Sequence, residues 1–256
     1  MKPALIRRAT PTLIMLGAIL LWGLICSLFR IESFVLPGPI DVAKSLIAYP
    51  RPIFSNALQT LFTTLAGFGL AVAFGMLLGM VIGASRTVYD SVYPLMVAFN
   101  SVPKVAIVPV LVIWFGIGTI PAVITAFAIS FFPIVVNVAT GLATIEPELQ
   151  DVLRVLGARK MQILIKIGIP RAMPYFFASL KVSITLAFIG SVVAETVASN
   201  SGIGYLMMVA GARFDVPLVF AGLVVIAAMG VIMYEFFAVL ERRVTFWATR
   251  SNDVAT

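Results

Sequence analysis

Histidine is missing from this chain altogether. With it go the commonest metal ligand and the commonest acid–base group at neutral pH. Cysteine occurs once, as Cys26, so no intrachain disulfide can form and the redox compartment is not legible. Charge is scarce too. Only 11% of the 256 residues are Asp, Glu, Lys or Arg, where soluble domains carry about 25%. There is no G-x-x-x-x-G-K-[ST] phosphate loop, and no nucleophile stands beside a plausible base at a recognisable spacing. The expected chain is one without catalytic residues, metal or cofactor of its own. If ATP drives it, another polypeptide must hold the ATP and magnesium.

What is present is apolar. Hydrophobic residues make up 61% of the chain, and the mean hydropathy is +1.09. Long apolar runs read as bilayer-spanning helices, because a helix satisfies its own backbone hydrogen bonds in lipid. Six such runs occur, at about 12–29, 57–84, 92–115, 119–142, 175–197 and 216–240. The predicted fold is an all-α integral membrane protein, with residues 1–256 forming a single transmembrane domain. Basic residues followed by an apolar run resemble a secretion signal. This run ends at Phe29-Arg30 without a small-x-small cleavage site, so we read it as an uncleaved first span.

The net charge of +7 is a matter of topology. With six spans, one set of segments holds 12 basic residues: Lys2, Arg7, Arg8, Arg86, Arg154, Arg159, Lys160, Lys166, Arg171, Arg242, Arg243 and Arg250. The opposite set holds 4, namely Arg30, Lys44, Arg51 and Arg213. The positive-inside rule then places both termini and the 143–174 loop in the cytoplasm. No nucleic-acid partner is implied.

Within the spans, Gly67, Ala71, Gly75, Gly79 and Gly83 recur every four residues and stack on one helix face. Such a face lets another backbone approach closely, either inside one subunit or across a dimer. Prolines at 94, 103, 109, 121 and 133 each remove a backbone hydrogen bond and bend a helix. Around Asn100-Ser101-Val102-Pro103-Lys104 the sequence predicts a helix break near the cytoplasmic face or a cavity wall. Lys181 is expected to snorkel to the headgroups. Glu195, about 21 Å further along the same helix, is either functional, as intramembrane acids are by default, or an interfacial structural group. With Asn100, Ser130 and Asn137 it makes up the candidate translocation pathway. Thr125 is a further polar candidate, although such hydroxyls also bond to their own helix.

The 143–174 loop has a helical grammar of its own. Pro147 and Glu148 suit a first turn. Leu149, Val152, Leu153 and Leu156 form an apolar face, and Gly157 suits a left-handed cap. A second helical stretch is expected from Ala158 to Ile167, stopped by Gly168 and Pro170. An interfacial connector would look similar.

The spacing DVLRVLGARKMQILIKIGIP at 151–170 resembles the coupling loop of ATP-binding-cassette importer permeases, usually written E-A-A-x3-G-x9-I-x-L-P. Gly157 takes the glycine position, Ile167 lies ten residues on, and Ile169-Pro170 closes the pattern. The opening Asp151-Val152-Leu153 keeps the acid but not the alanines. LPGP at 36–39, NSVPKVAIVPVLVIWFGIG at 100–118, SFFPIVVNVATGL at 130–142 and SGIGYLMMVAGARFDVPLVFAGL at 201–223 are similar to the permeases of nitrate, sulfonate, taurine and pyrimidine-precursor importers. The resemblance implies a six-helix type I importer subunit of the bacterial inner membrane, paired as a homodimer. It also implies two cytoplasmic ATPase subunits and an extracytoplasmic substrate-binding protein. Asp151, Arg154, Gly157 and Ala158 would form the element that docks on the ATPase, with Ile167, Ile169 and Pro170 setting its exit. The implied cargo is a small organic anion or a vitamin precursor. A secondary transporter is the first alternative, but it would normally show inverted repeats, and none is evident. The other is a membrane scaffold without transport.

Overall fold

A computed structural model of the chain describes residues 2–144 and 147–246; Arg250, counted above among the basic residues, lies outside them. Every regular element among the described residues is a helix. In chain order these are α1 (Lys2–Leu28), α2 (Pro39–Ala48), α3 (Pro50–Gly83) and α4 (Arg86–Asn100). A 3₁₀ turn (Lys104–Ile107), α5 (Val108–Phe115), α6 (Thr119–Ala143), α7 (Pro147–Val155) and α8 (Lys160–Ile163) follow. A π-helical turn (Leu164–Gly168), α9 (Ile169–Ala198), α10 (Ile203–Ala212) and α11 (Val216–Val244) complete the series.

Four helices are long and apolar enough to cross a bilayer: α3, α6, the continuous Met161–Ala198 helix that contains α9, and α11. The α4 helix and the Lys104–Phe115 segment qualify together, as one span bent by 67°. The described residues thus hold up to 5 candidate spans, against the six the sequence predicts. The sixth predicted run falls in α1, in which Leu13–Leu28 forms a shorter apolar helix. Two ten-residue helices, α2 and α10, occupy stretches that read as plain connectors.

The centre of the molecule is α6, held between α3 and α9. Lipid tails are as apolar as leucine, so helices associate there through close packing rather than water exclusion. The small residues of α3 permit that packing. A Cβ built on Gly79 would lie 2.7 Å from the Val138 Cβ and 2.9 Å from the Val135 carbonyl oxygen. One on Gly67 would meet the Ala126 Cβ at 2.6 Å, and one on Gly83 the Ala139 carbonyl at 2.8 Å. Gly75 faces Ile134 in the same way, and Ala71 is fully buried. All these contacts run from α3 to α6 within one chain. Phe68, Ala126, Ile134, Val138, Ile184, Ala187 and Phe188 fill the seam between the three helices.

The prolines act unequally. The α6 helix runs on through Pro133 and α4 through Pro94, whereas Pro103 sits in the break after α4. There the Ser101 N–H turns back to the Val97 and Ala98 carbonyls. Pro103 has no N–H to offer and disfavours helix at Val102 before it. Lys181 pairs with Glu241 in the last turns of α11, tying α9 to that helix.

Candidate functional site

The loop between α6 and α9 is built by local rules. Helix α7 ends in a Schellman motif: the Ala158 N–H donates to the Leu153 carbonyl at 2.9 Å and the Gly157 N–H to the Arg154 carbonyl at 2.9 Å. Gly157 supplies the left-handed backbone at φ +84°, where a Cβ would be strained although space is open. Asp151 and Arg154 pair at 3.0 Å on the exposed surface of α7. The Gln162 Oε1 accepts from the Arg159 N–H at 2.8 Å and so caps α8.

Beyond α8 the structure departs from the sequence reading. Gly168 and Pro170 do not stop the second helix, which continues into the core as Met161–Ala198. The π-helical turn accounts for this. At Ile169 the N–H donates to the Leu164 carbonyl, five residues back. That wider turn gives Pro170 room where its ring would otherwise meet the carbonyl of the preceding turn. Ile167, Ile169 and Pro170 therefore lie along one continuous helix. Its other end reaches Ala198.

Several apolar residues of the loop are turned outwards, although Ile163 is buried: Val155 is 87% exposed, Leu156 75% and Met161 63%, with Val152 and Ile165 also open. The loop is a locally capped element with an apolar surface left uncovered by its own chain.

The four pathway candidates occupy separate settings. Ser130 is buried and donates to the Ala126 carbonyl of its own helix at 2.7 Å. Thr125 does the same with the Pro121 carbonyl. The Asn137 Nδ2 donates to the Pro133 carbonyl at 2.8 Å. Asn100 is exposed and accepts from the Lys104 Nζ at 2.9 Å through both its carbonyl and its side-chain oxygen. These two residues border a cavity of about 420 Å³ whose walls are otherwise apolar, among them Phe99, Phe127, Phe131 and Phe132. None of the other three candidates lines it.

Glu195 stands in the most elaborate setting, at 1% exposure. Its Oε2 accepts from the Thr60 Oγ1 at 2.8 Å and the Gly204 N–H at 3.3 Å. Its Oε1 accepts from the Thr63 Oγ1 at 3.0 Å and the Ser191 Oγ at 3.5 Å. The hydroxyls of Thr63 and Ser191 are themselves in close contact. The Ile203 N–H donates to the Thr60 Oγ1 at 2.8 Å and the Gly202 N–H to the Asn56 Oδ1 at 2.7 Å. Among the described residues no Lys or Arg forms an ion pair with Glu195. The carboxyl group is met by hydroxyls and one amide alone.

Sequence reasoning singled out Glu195 but missed Asn56, Thr60, Thr63, Ser191 and Gly204. One signal was available. Counting back from Gly67 in steps of four, the small-residue face of α3 reaches Thr63 and Gln59. A packing stripe that ends in polar residues marks where a seam meets a polar neighbour.

Comparison with known proteins agrees with this architecture. Residues 71–246 match the family model described as the binding-protein-dependent transport system inner membrane component. The chain is 31% identical to the riboflavin transport system permease protein RibX of Chloroflexus aurantiacus, over 88% of this chain and 85% of that protein. It is 29% identical to the formylaminopyrimidine transport permease protein ThiX of Halalkalibacterium halodurans, over 93% and 95% of the two chains. It is 27% identical to the taurine transport system permease protein TauC of Escherichia coli, over 88% and 85%. An inward-facing structure of the MetNI methionine ABC transporter superposes with a TM-score of 0.63 at 18% identity, covering 73% of this chain and 93% of that one. That likeness establishes the shared helical fold. The chain belongs to the family of binding-protein-dependent transport system inner membrane components.

Proposed function

We propose that this family member works as one of two identical membrane subunits of an ATP-driven importer. Two ATPase subunits sit at the cytoplasmic loops and hold the ATP and magnesium. A binding protein on the opposite face delivers the cargo. Both termini lie in the cytoplasm, in keeping with the basic residues of the 147–171 loop. The observation that carries this reading is mechanical. The loop's exposed apolar face includes Met161 and Ile165 on the Met161–Ala198 helix that packs in the core, and Val155 and Leu156 lie one tight turn before it. When the ATPase subunits close, a partner gripping Val155, Leu156 and Met161 moves that helix as a lever. Access to the cavity then switches by rigid-body motion of packed helices. Asp151, Arg154, Gly157 and Ala158 set the shape of the grip, and the π turn around Ile167, Ile169 and Pro170 transmits it.

The cargo is a small organic anion or a vitamin precursor, as the names of the related permeases support. The candidate pathway groups Asn100, Ser130, Asn137 and Glu195 form no shared ligand site. Selection therefore rests mainly with the binding protein. Cysteines at Arg154 and Ala158 test the docking directly. Crosslinking to a co-purified ATPase, with hydrolysis stimulated by the binding protein, is the expected result. Labelling of these cysteines only from outside intact cells would overturn the orientation. Purification without any ATPase would return the scaffold or secondary-transporter reading.

A further inference from the structure

We propose that Glu195 is a positioning residue of the transport cycle, capping α10 from a neighbouring helix so that the facing ends of α3, α9 and α10 move as one body. The proposal rests on the importer reading above and adds to it a statement about which parts stay together.

A helix N-terminus leaves its first N–H groups without partners inside the helix. Usually a side chain just before the helix satisfies one of them. In α10 the preceding residue is Gly202, at φ +105°, which has no side chain to offer. Its caps come from elsewhere in the fold. Asn56 on α3 takes the Gly202 N–H, Thr60 on α3 takes the Ile203 N–H, and Glu195 on α9 takes the Gly204 N–H. The carboxylate also sits at the positive end of the α10 dipole. Glycine at 202 and 204 is what lets the helix seat this closely. A Cβ on Gly204 would lie 2.9 Å from the Glu195 Cβ, and one on Gly202 would fall within the Glu195 carboxylate.

The arrangement also resists being opened. Pulling α10 away would leave the Gly204, Ile203 and Gly202 N–H groups unpaired and strip a buried carboxylate of an amide donor, with no cation at hand. Buried polar groups left without partners are costly. A network of this kind favours the closed state at every stage of the cycle. Motion is then shifted to seams sealed by apolar packing alone.

The test uses the complete importer, with permease, ATPase and binding protein. Spin labels are placed at Leu58 on α3 and Met208 on α10, both of which have exposed side chains. Labelled permease is diluted with unlabelled copies so that each complex carries one labelled chain. Val155, labelled alone in both copies, serves as the reference for loop movement. The expected result is a narrow Leu58–Met208 distance that does not shift between the nucleotide-free and the magnesium-ATP/vanadate-trapped states, while the Val155–Val155 distance shortens. Glu195→Ala should broaden the Leu58–Met208 distribution. Glu195→Gln should restore it, since its amide oxygen can keep the Thr60 and Gly204 bonds. Its amino group can then donate to Thr63, whose own hydrogen has the Thr60 and Gln59 carbonyls within reach. Should Glu195→Ala fail to assemble, Thr60→Val removes the adjoining cap and should broaden the same distance.

A Leu58–Met208 distance that shifts between the two states of the unmutated importer overturns the proposal. So does an unchanged distribution in both Glu195→Ala and Thr60→Val. An unmoving Val155 pair would instead overturn the importer reading, and the proposal would fall with it.

Discussion

The two ends of the Met161–Ala198 helix solve opposite problems. At Ala198 the chain encloses an ionisable group completely, and hydroxyls from α3 and α9 and one amide from α10 close around Glu195. At Met161 the chain leaves apolar side chains in the open, on a loop whose turn between α7 and α8 is capped by its own residues. One end is finished by the tertiary structure. The other is shaped locally and awaits a partner. Changes at the enclosed end should therefore register as lost stability, and changes at the open end as lost coupling in a protein that still folds.

The largest loss of all is expected away from both ends, in the packed seam between α3 and α6. Gly79→Leu forces a side chain into space where even a Cβ stands 2.7 Å from Val138. We expect a loss of about 3 kcal/mol, seen as a lowered thermal midpoint and reduced assembled protein in detergent. Full stability would mean that this face of α3 can separate from α6 without cost. Next, Thr60→Val preserves shape but strands the Ile203 N–H and removes one donor to Glu195, which should cost about 2 kcal/mol. The same measurement checks it, and a neutral outcome would show that the cap is replaced by water.

The loop should respond in the other currency. Gly157→Val puts a branched residue at φ +84°, a strain of about 1 kcal/mol, while the membrane helices still insert. Binding-protein-stimulated ATP hydrolysis and uptake should be lost from permease present at normal membrane levels. Loss of the protein from the membrane would show that the loop is structural. Smallest in its effect on folding is Val155→Ser, since exposed substitutions stay within about 0.5 kcal/mol. Co-purification with the ATPase should nevertheless weaken. Unimpaired co-purification would remove Val155 from the docking surface.

How much of this was legible follows the same division. The small-residue stripe from Gly67 to Gly83 announced a close helix contact, because four-residue periodicity is a property of the helix itself. The identity of the other helix was not announced. Within the loop, Gly157 could be read as a left-handed cap from its place after an apolar helix, and its φ and the two Schellman bonds agree. Gly168 and Pro170 misled, since both residues end helices in isolation. Here the π-helical turn carries the chain past them, and the packing of Ala172 and Leu180 into the core favours a continuous helix. Helices α2 and α10 were missed because ten residues between two spans carry too few periods to register.

The sequence alone determined what depends on local periodicity and composition. That includes an all-helical membrane chain, most of the stretches long enough to cross a bilayer, and the capped turn at Gly157. Hydropathy sums over neighbours, and a helix repeats every few residues, so both can be read along the chain. The surroundings of Glu195 cannot. Thr60 and Glu195 are 135 positions apart, and no local rule relates them. Only the packing of α3 against α6 and α9 brings that hydroxyl to the carboxylate and seats the start of α10 on both. The same holds for the bend of 67° at Pro103 and for the pairing of Lys181 with Glu241. Composition makes a polar residue in a span noteworthy, but the tertiary structure decides which group satisfies it.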